Sequence, residues 1–155
     1  MKALTVTSWG ATPSIHEVAV PTRPPGWSLM RMLAAGVNPV DLAIGSGRFY
    51  GDTPNPPFAL GAEAVGEVVE SDTLPIGARV WGLITTGGFA EYFVAPDDHL
   101  IAVPDDLDVQ TAAALGIAGC AGWMSVRERG GLREGETVLV LGASGIVGQV
   151  AMQSA

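Results

Sequence analysis

A mainly β, barrel-like domain followed by a helix and the opening of an α/β unit is the fold class this sequence predicts. Three observations predict it. Short β-branched segments recur between Gly- and Pro-rich turns from Lys2 to Val103. An alanine-rich helical pattern follows Asp108. The apolar run Val138–Leu141 then enters glycines at every third position, Gly142, Gly145 and Gly148, and a helical pattern runs over Ile146–Ala155. A strand that turns through glycines into a helix N-terminus can cradle a phosphate. The glycines let the backbone come close to a pyrophosphate, and the first N–H groups of the helix have no partner of their own. Ser144 occupies the place where the common G-x-G-x-x-G fingerprint has its second glycine, and a plain turn between a core strand and a core helix gives the same pattern.

Composition sets the outer bounds. A chain of 155 residues is long enough to bury roughly 68–70% of its unfolded surface without staples. Hydrophobic residues make up 48% and charged residues 15%, a core-rich balance, while 21 glycines and 11 prolines favour turns over a helical bundle. The net charge of −8 argues against a nucleic-acid or anionic-membrane partner. Cys120 is the single cysteine, which rules out an internal disulfide and any multi-cysteine zinc site. The opening MKALTVTSWG lacks the apolar run of a signal peptide, so a cytoplasmic setting is expected. Val109–Val126 is uncharged, but its glycines, Gln110, Thr111 and Ser125 suit a tightly packed buried helix better than a membrane span.

Taken in order, Lys2–Trp9 alternates as a strand, and Gly10–Ser14 turns the chain into a second strand at Ile15–Val20. Prolines in PTRPPGW stop that ladder, and Ser28–Val37 makes a third strand. Asn38-Pro39-Val40-Asp41 is a helix start, with Asn38 as N-cap and Pro39 where no N–H is needed; Gly45 and Gly47 end the helix. Arg48–Leu60 reads as an irregular loop that borders a cleft. Further strands are expected at Ala62–Glu70, Ala78–Leu83, Phe89–Val94 and Leu100–Val103, with a hinge at Pro96-Asp97-Asp98. Asp108 caps a helix over Val109–Arg129, which Gly130, Gly131 and Gly135 terminate. The domain boundary therefore falls between residues 1–107 and 108–155.

Several stretches together resemble a known family. GVNPVDLAIGSGRF, LGAEAVGEVVE, GARVWGL, GGFAEY, AAALGIAGCAGW and LGASGIVGQVAMQSA stand in the order found in medium-chain dehydrogenases/reductases, and the pattern is most similar to the zinc-independent quinone oxidoreductase branch. The resemblance implies a GroES-like β-barrel catalytic domain, the linking helix and the first βα unit of a Rossmann domain that is cut short. It also implies NADPH as cofactor with NADH not excluded, hydride transfer to a small conjugated carbonyl substrate, and a homodimer as the complete protein. The 155-residue chain by itself is expected to be the front part of a longer enzyme, inactive alone and a poor binder of NADPH.

The resemblance also addresses metal and site residues. In zinc-bearing relatives a cysteine stands where this chain has Asn38 and a histidine where it has Ala62, directly before Glu63; an amide and a methyl cannot replace a thiolate and an imidazole at zinc. The cysteine-rich structural lobe is missing too, and His16 and His99 are expected on the surface or in ordinary hydrogen bonds, so no metal site is expected. Asn38 is both a candidate donor to the nicotinamide or the acceptor oxygen and an ordinary N-cap. Asp41 matches a family position, yet an acid in a helix's first turn is also favoured by the helix dipole. Tyr50 is either a hydroxyl donor to the substrate or an aromatic cover. Phe49, Phe58 and Trp81 are expected to line the substrate cleft. Related quinone oxidoreductases often carry tyrosines where this chain has Ala43 and Phe49, which makes this pocket less polar. Glu63 is expected to hold the fold together, Trp81 and Trp123 to sit in the core, and Cys120 to be a small buried hydrophobe. The cofactor cradle comprises Gly142, Ala143, Ser144, Gly145, Ile146 and Val147, and Gln153 matches a family position. The residue that separates NADP from NAD lies about 20 residues beyond the glycines.

Two other readings fit the same pattern. One is a reductase of enoyl thioesters from the same superfamily. The other is a non-enzymatic β module for assembly or binding.

Overall fold

The computed structural model describes residues 1–155, which divide into two compact units, Met1–Ala113 and Ala114–Ala155. The first unit carries eight strands: β1 Lys2–Val6, β2 Ser14–Glu17, β3 Trp27–Ala34, β4 Phe58–Ala59, β5 Glu63–Glu70, β6 Arg79–Leu83, β7 Tyr92–Pro96 and β8 Leu100–Ala102. They form two antiparallel sheets, β2-β1-β4 and β7-β3-β5-β6-β8. An isolated bridge between Ala3 and Ala90 adds a further contact between distant segments. The strands expected in this unit are all present at shifted or shorter bounds. The loop after Arg48 is the main difference, because Phe58 and Ala59 leave it to pair with Val6 and Thr5.

Alternation along β5 organises this unit. Successive strand residues face opposite sides, so Ala64 and Val68 join Met30, Val80, Ile84, Phe93 and Ala95 in one buried cluster. Val65 faces the other way, into a second cluster with Val103, Ala112 and Ala113. The last two residues belong to α2 (Val109–Ala114); α1 is the helix at Pro39–Gly45. Helix α2 starts as expected at Asp108, whose carboxylate accepts the Thr111 N–H at 2.8 Å and the Thr111 hydroxyl at 2.7 Å. Those bonds, the backbone N–H first, hold the Asp108 carboxyl below its ordinary value.

The second unit contains α3 (Cys120–Met124) and α4 (Ile146–Ser154). Wider π-type turns at Leu115–Gly119 and Ser125–Arg129 make Val109–Arg129 helical throughout, with a kink at Gly116. By length and composition, this is the one helical run long and apolar enough to cross a membrane. The helix is less buried than its composition suggests. Gly122 packs against Val147 and Val150 of α4, so a small residue takes the close contact, while Trp123 lies 47% exposed and Cys120 is exposed. The expectations of a core Trp123 and a buried Cys120 are therefore corrected.

Val138–Leu141 is corrected as well. The segment is not a strand, and Leu139 and Leu141 are 83% and 85% exposed. A parallel strand needs neighbours for its N–H and C=O groups, and this segment is paired into neither sheet.

Candidate active site

The N-terminus of α1 begins where the sequence places it. Asn38 is extended, at φ −124° and ψ 155°, and Pro39 follows at the first helical position. Asp41 supplies the reciprocal half of a capping box, its side chain reaching back to the Asn38 backbone N–H. One Asp41 carboxylate oxygen accepts the Asn38 backbone N–H at 2.7 Å, and the other accepts the Ala62 backbone N–H at 2.9 Å. A single buried side chain thus joins the helix start to the residue before β5. Burial pushes the Asp41 carboxyl above its ordinary value of 3.8, the two backbone N–H bonds oppose that rise, and the nearby Glu63 charge adds to it. The structural role weighed for Asp41 is present in full.

Glu63 is the hub of the site. It is 1% exposed at the start of β5, and a buried carboxylate requires hydrogen-bond donors. Its Oε1 accepts the Asn38 Nδ2–H at 2.7 Å, and its Oε2 accepts the Trp81 indole N–H at 2.9 Å. The β5–β6 register explains the second bond: Trp81 stands opposite Val65, one alternation beyond Glu63 on the same face. A Cβ at Gly36 would collide with Glu63 Oε1 and lie 3.1 Å from the Ala113 carbonyl, so a residue without a side chain is needed there. Reading the sequence identified Glu63 as structural but missed this network. Its signals were a charged residue opening a buried strand, a tryptophan in register with it and a glycine just before Asn38.

The expected aromatic cleft does not assemble. Phe58 is 9% exposed in β4 and packs on Trp9 with ring centroids 5.8 Å apart. Pairing with Val6 draws it into the core, so its assignment as a substrate contact is corrected. Phe49 and Tyr50 stack on each other at 4.8 Å, with Tyr50 99% exposed. Trp81 packs beside Val65 and Val103 while its N–H serves Glu63. The aromatics therefore occupy three separate places, and Trp81 alone meets the Asn38 network. Val37 and Leu42, on either side of Asn38, are 83% and 75% exposed and give this end of the helix an apolar surface.

In the second unit the glycine turn meets its helix. Gly142 adopts φ +72°, and the Gly145 N–H bonds to the Gly142 carbonyl at 3.1 Å. Gly145 is extended at the N-cap of α4, with Ile146 and Val147 opening the first turn. A Cβ at Gly148 would strike the Gly142 carbonyl and come within 2.8 Å of Ala143 Cα. Gln149 closes the turn by donating from Nε2 to the Ser144 carbonyl at 3.0 Å. The glycines thus bring the backbone close together at the N-terminus of α4.

No group of three or more His, Cys, Asp or Glu side chains is placed to hold a metal ion. His16 bonds instead to the Thr5 hydroxyl at 2.8 Å and to Ser14 at 3.2 Å. His99 lies in a short 3₁₀ turn at Asp97–His99.

Comparison with known proteins agrees with this architecture. Residues 24–105 match the alcohol dehydrogenase GroES-like domain. A quinone oxidoreductase of Lama guanicoe is 37% identical over all of this chain and 49% of its own length, and one of Sus scrofa is 38% identical over 90% and 44%. The solved quinone oxidoreductase of Thermus thermophilus, described together with its NADPH complex, superposes with a TM-score of 0.86 at 30% identity over 99% of this chain and 49% of that one. The chain thus spans about half the length of the relatives it matches. It is similar over its length to quinone oxidoreductases, and it belongs to the alcohol dehydrogenase GroES-like domain family.

Proposed function

We propose that this chain provides the substrate-side domain and the start of the nucleotide-binding domain of a zinc-independent reductase of conjugated carbonyls, quinones or enones. The observation that carries the reading is the buried Asn38 amide, held at 2.7 Å by Glu63 and flanked by exposed Val37 and Leu42. Asn38 offers a neutral N–H donor beside an apolar surface, which suits a flat acceptor whose oxygen gains charge as it is reduced. Relatives named quinone oxidoreductase and a neighbour solved with NADPH support the same class.

Two features favour chemistry without a metal. Asn38 and Ala62 stand where zinc-bearing relatives carry cysteine and histidine, and both oxygens of Asp41 and of Glu63 are engaged by N–H donors. When bound, a reduced nicotinamide cofactor supplies the hydride. Gly142, Ala143, Ser144, Gly145, Ile146 and Val147 would hold its diphosphate through backbone N–H groups. Asn38 stabilises the developing oxyanion, with the apolar Val37 and Leu42 beside it.

Steady-state turnover tests the reading in a form of the protein that carries a full nucleotide domain. A simple quinone or enone is reduced with NADPH, Asn38→Ala lowers kcat by about 10²–10³-fold, and a chelator has no effect. Chelator-sensitive turnover restored by zinc would sink the proposal. Faster turnover of an enoyl thioester would instead select the alternative substrate.

A further inference from the structure

We infer that Glu63 fixes which way round the Asn38 carboxamide sits and that Trp81 acts through it by holding the other Glu63 oxygen, making both of them positioning residues for the donor proposed above. The inference rests on that reading for its consequence in turnover, but the geometry stands apart from it. A carboxamide is nearly symmetric in shape and opposite in chemistry at its two ends, so a neighbour must decide its orientation. Glu63 decides it here. Both carboxylate oxygens only accept, one from Asn38 Nδ2 and one from the Trp81 indole, so the end of Asn38 facing Glu63 must be its NH₂. Nδ2 has a second N–H, and that is the one left to offer an acceptor oxygen. Asp41 holds the Asn38 backbone N–H at the same time, so main chain and side chain are anchored by different acids.

Replacing Glu63 by glutamine turns this logic over without changing shape. The introduced side chain has one accepting oxygen where the carboxylate has two. The indole N–H of Trp81 can only donate, so it competes with Asn38 for that oxygen and turns the new NH₂ toward the Asn38 NH₂. Two donors cannot share a hydrogen bond, and Asn38 is the member able to turn over. Removing the indole N–H as well, with Trp81→Phe, frees the glutamine to present its oxygen to Asn38 again. The second substitution should therefore repair the first. A pair that merely adds packing would show damage that accumulates, whereas coupled members of one network depart from additivity.

The test follows the Asn38 side-chain amide and Trp81 indole signals by heteronuclear NMR in the 155-residue chain. Expected is a hydrogen-bonded Asn38 amide signal that shifts or is lost in Glu63→Gln and returns toward its original position in Glu63→Gln/Trp81→Phe. Turnover of the form with a full nucleotide domain should follow the same order. An Asn38 signal unmoved by Glu63→Gln, or a double variant no nearer the original than the single, overturns the inference. Should Glu63→Gln fail to fold, scalar coupling across the hydrogen bond from Asn38 Nδ2 to the Glu63 carboxylate carbon is sought in the unsubstituted chain, and its absence overturns the inference as well. An amide that inverts while turnover stays level supports the positioning role and counts instead against Asn38 as the donor.

Discussion

The Asp41 carboxylate reaches across the chain to the backbone N–H of Ala62 at 2.9 Å, and so anchors the start of β5 to the start of α1. Both of its oxygens are needed, since the other accepts from Asn38. Asp41→Asn supplies only one accepting oxygen and leaves a buried N–H unpaired. The expected loss is about 1–3 kcal/mol of unfolding free energy, read by urea denaturation at neutral pH. A loss below the scatter of replicate curves would mean that water replaces the bond.

The same residue has a signature in pH. Its carboxyl is raised in the folded chain, so the native state binds that proton more tightly than the unfolded one. The penalty for its charge is fully present above the folded pKa and is relieved as pH falls through that value toward 3.8. Stability profiles of the original chain and Asp41→Asn should therefore diverge across that window, with the original gaining on acidification relative to the variant.

Asp72 has the opposite sign. Arg23 grips it with two guanidinium nitrogens at 2.7 and 2.6 Å, chiefly lowering the Asp72 carboxyl through that hydrogen bonding. A lowered carboxyl adds stability above its ordinary 3.8 and loses it as pH falls through the folded value. Asp72→Asn should lose less stability over this acid range than the original chain, and high salt should narrow the difference. Equal slopes by thermal melts would show the pair to be inert.

Position 148 permits no side chain. A methyl group there meets Gly142 and Ala143 backbone atoms that cannot step aside. Gly148→Ala should open the Gly142–Gly145 turn and raise amide exchange at Gly145, whose N–H bonds within it. In a form with a full nucleotide domain, NADPH affinity should fall. Unchanged exchange at Gly145 would show that the turn yields elsewhere.

Leu139 and Leu141 put unpaired backbone and apolar side chains in water together. Such a segment invites pairing with another copy. Lysine at both positions should cut self-association in sedimentation velocity and leave the melting of the first unit in place. A monodisperse original chain would remove the basis for this expectation.

Most of the β unit was legible because its signals are local. The alternation of Glu63–Glu70, the glycine and proline turns and the Asn38-Pro39 helix start all act within a few residues. The Phe58 error had a different origin. An aromatic in a proline-rich loop reads as a cleft lining until Val6, far back in sequence, claims it as a strand partner. Val138–Leu141 failed in the reverse sense: its composition is that of a strand, but strand structure depends on neighbours. The Glu63 network was hidden because it depends on register between β5 and β6, and register is a relation between segments rather than a property of either.

That register has a consequence for how this fold tolerates change in chain length. One residue inserted just ahead of β5 would carry Glu63 through the sheet toward Met30 and Phe93 and turn Ala64 to meet Trp81. The spacer from Gly61 to Glu63 is thus fixed in number as well as in kind, whereas the turn between Gly47 and Pro57 can lengthen or shorten with far less consequence.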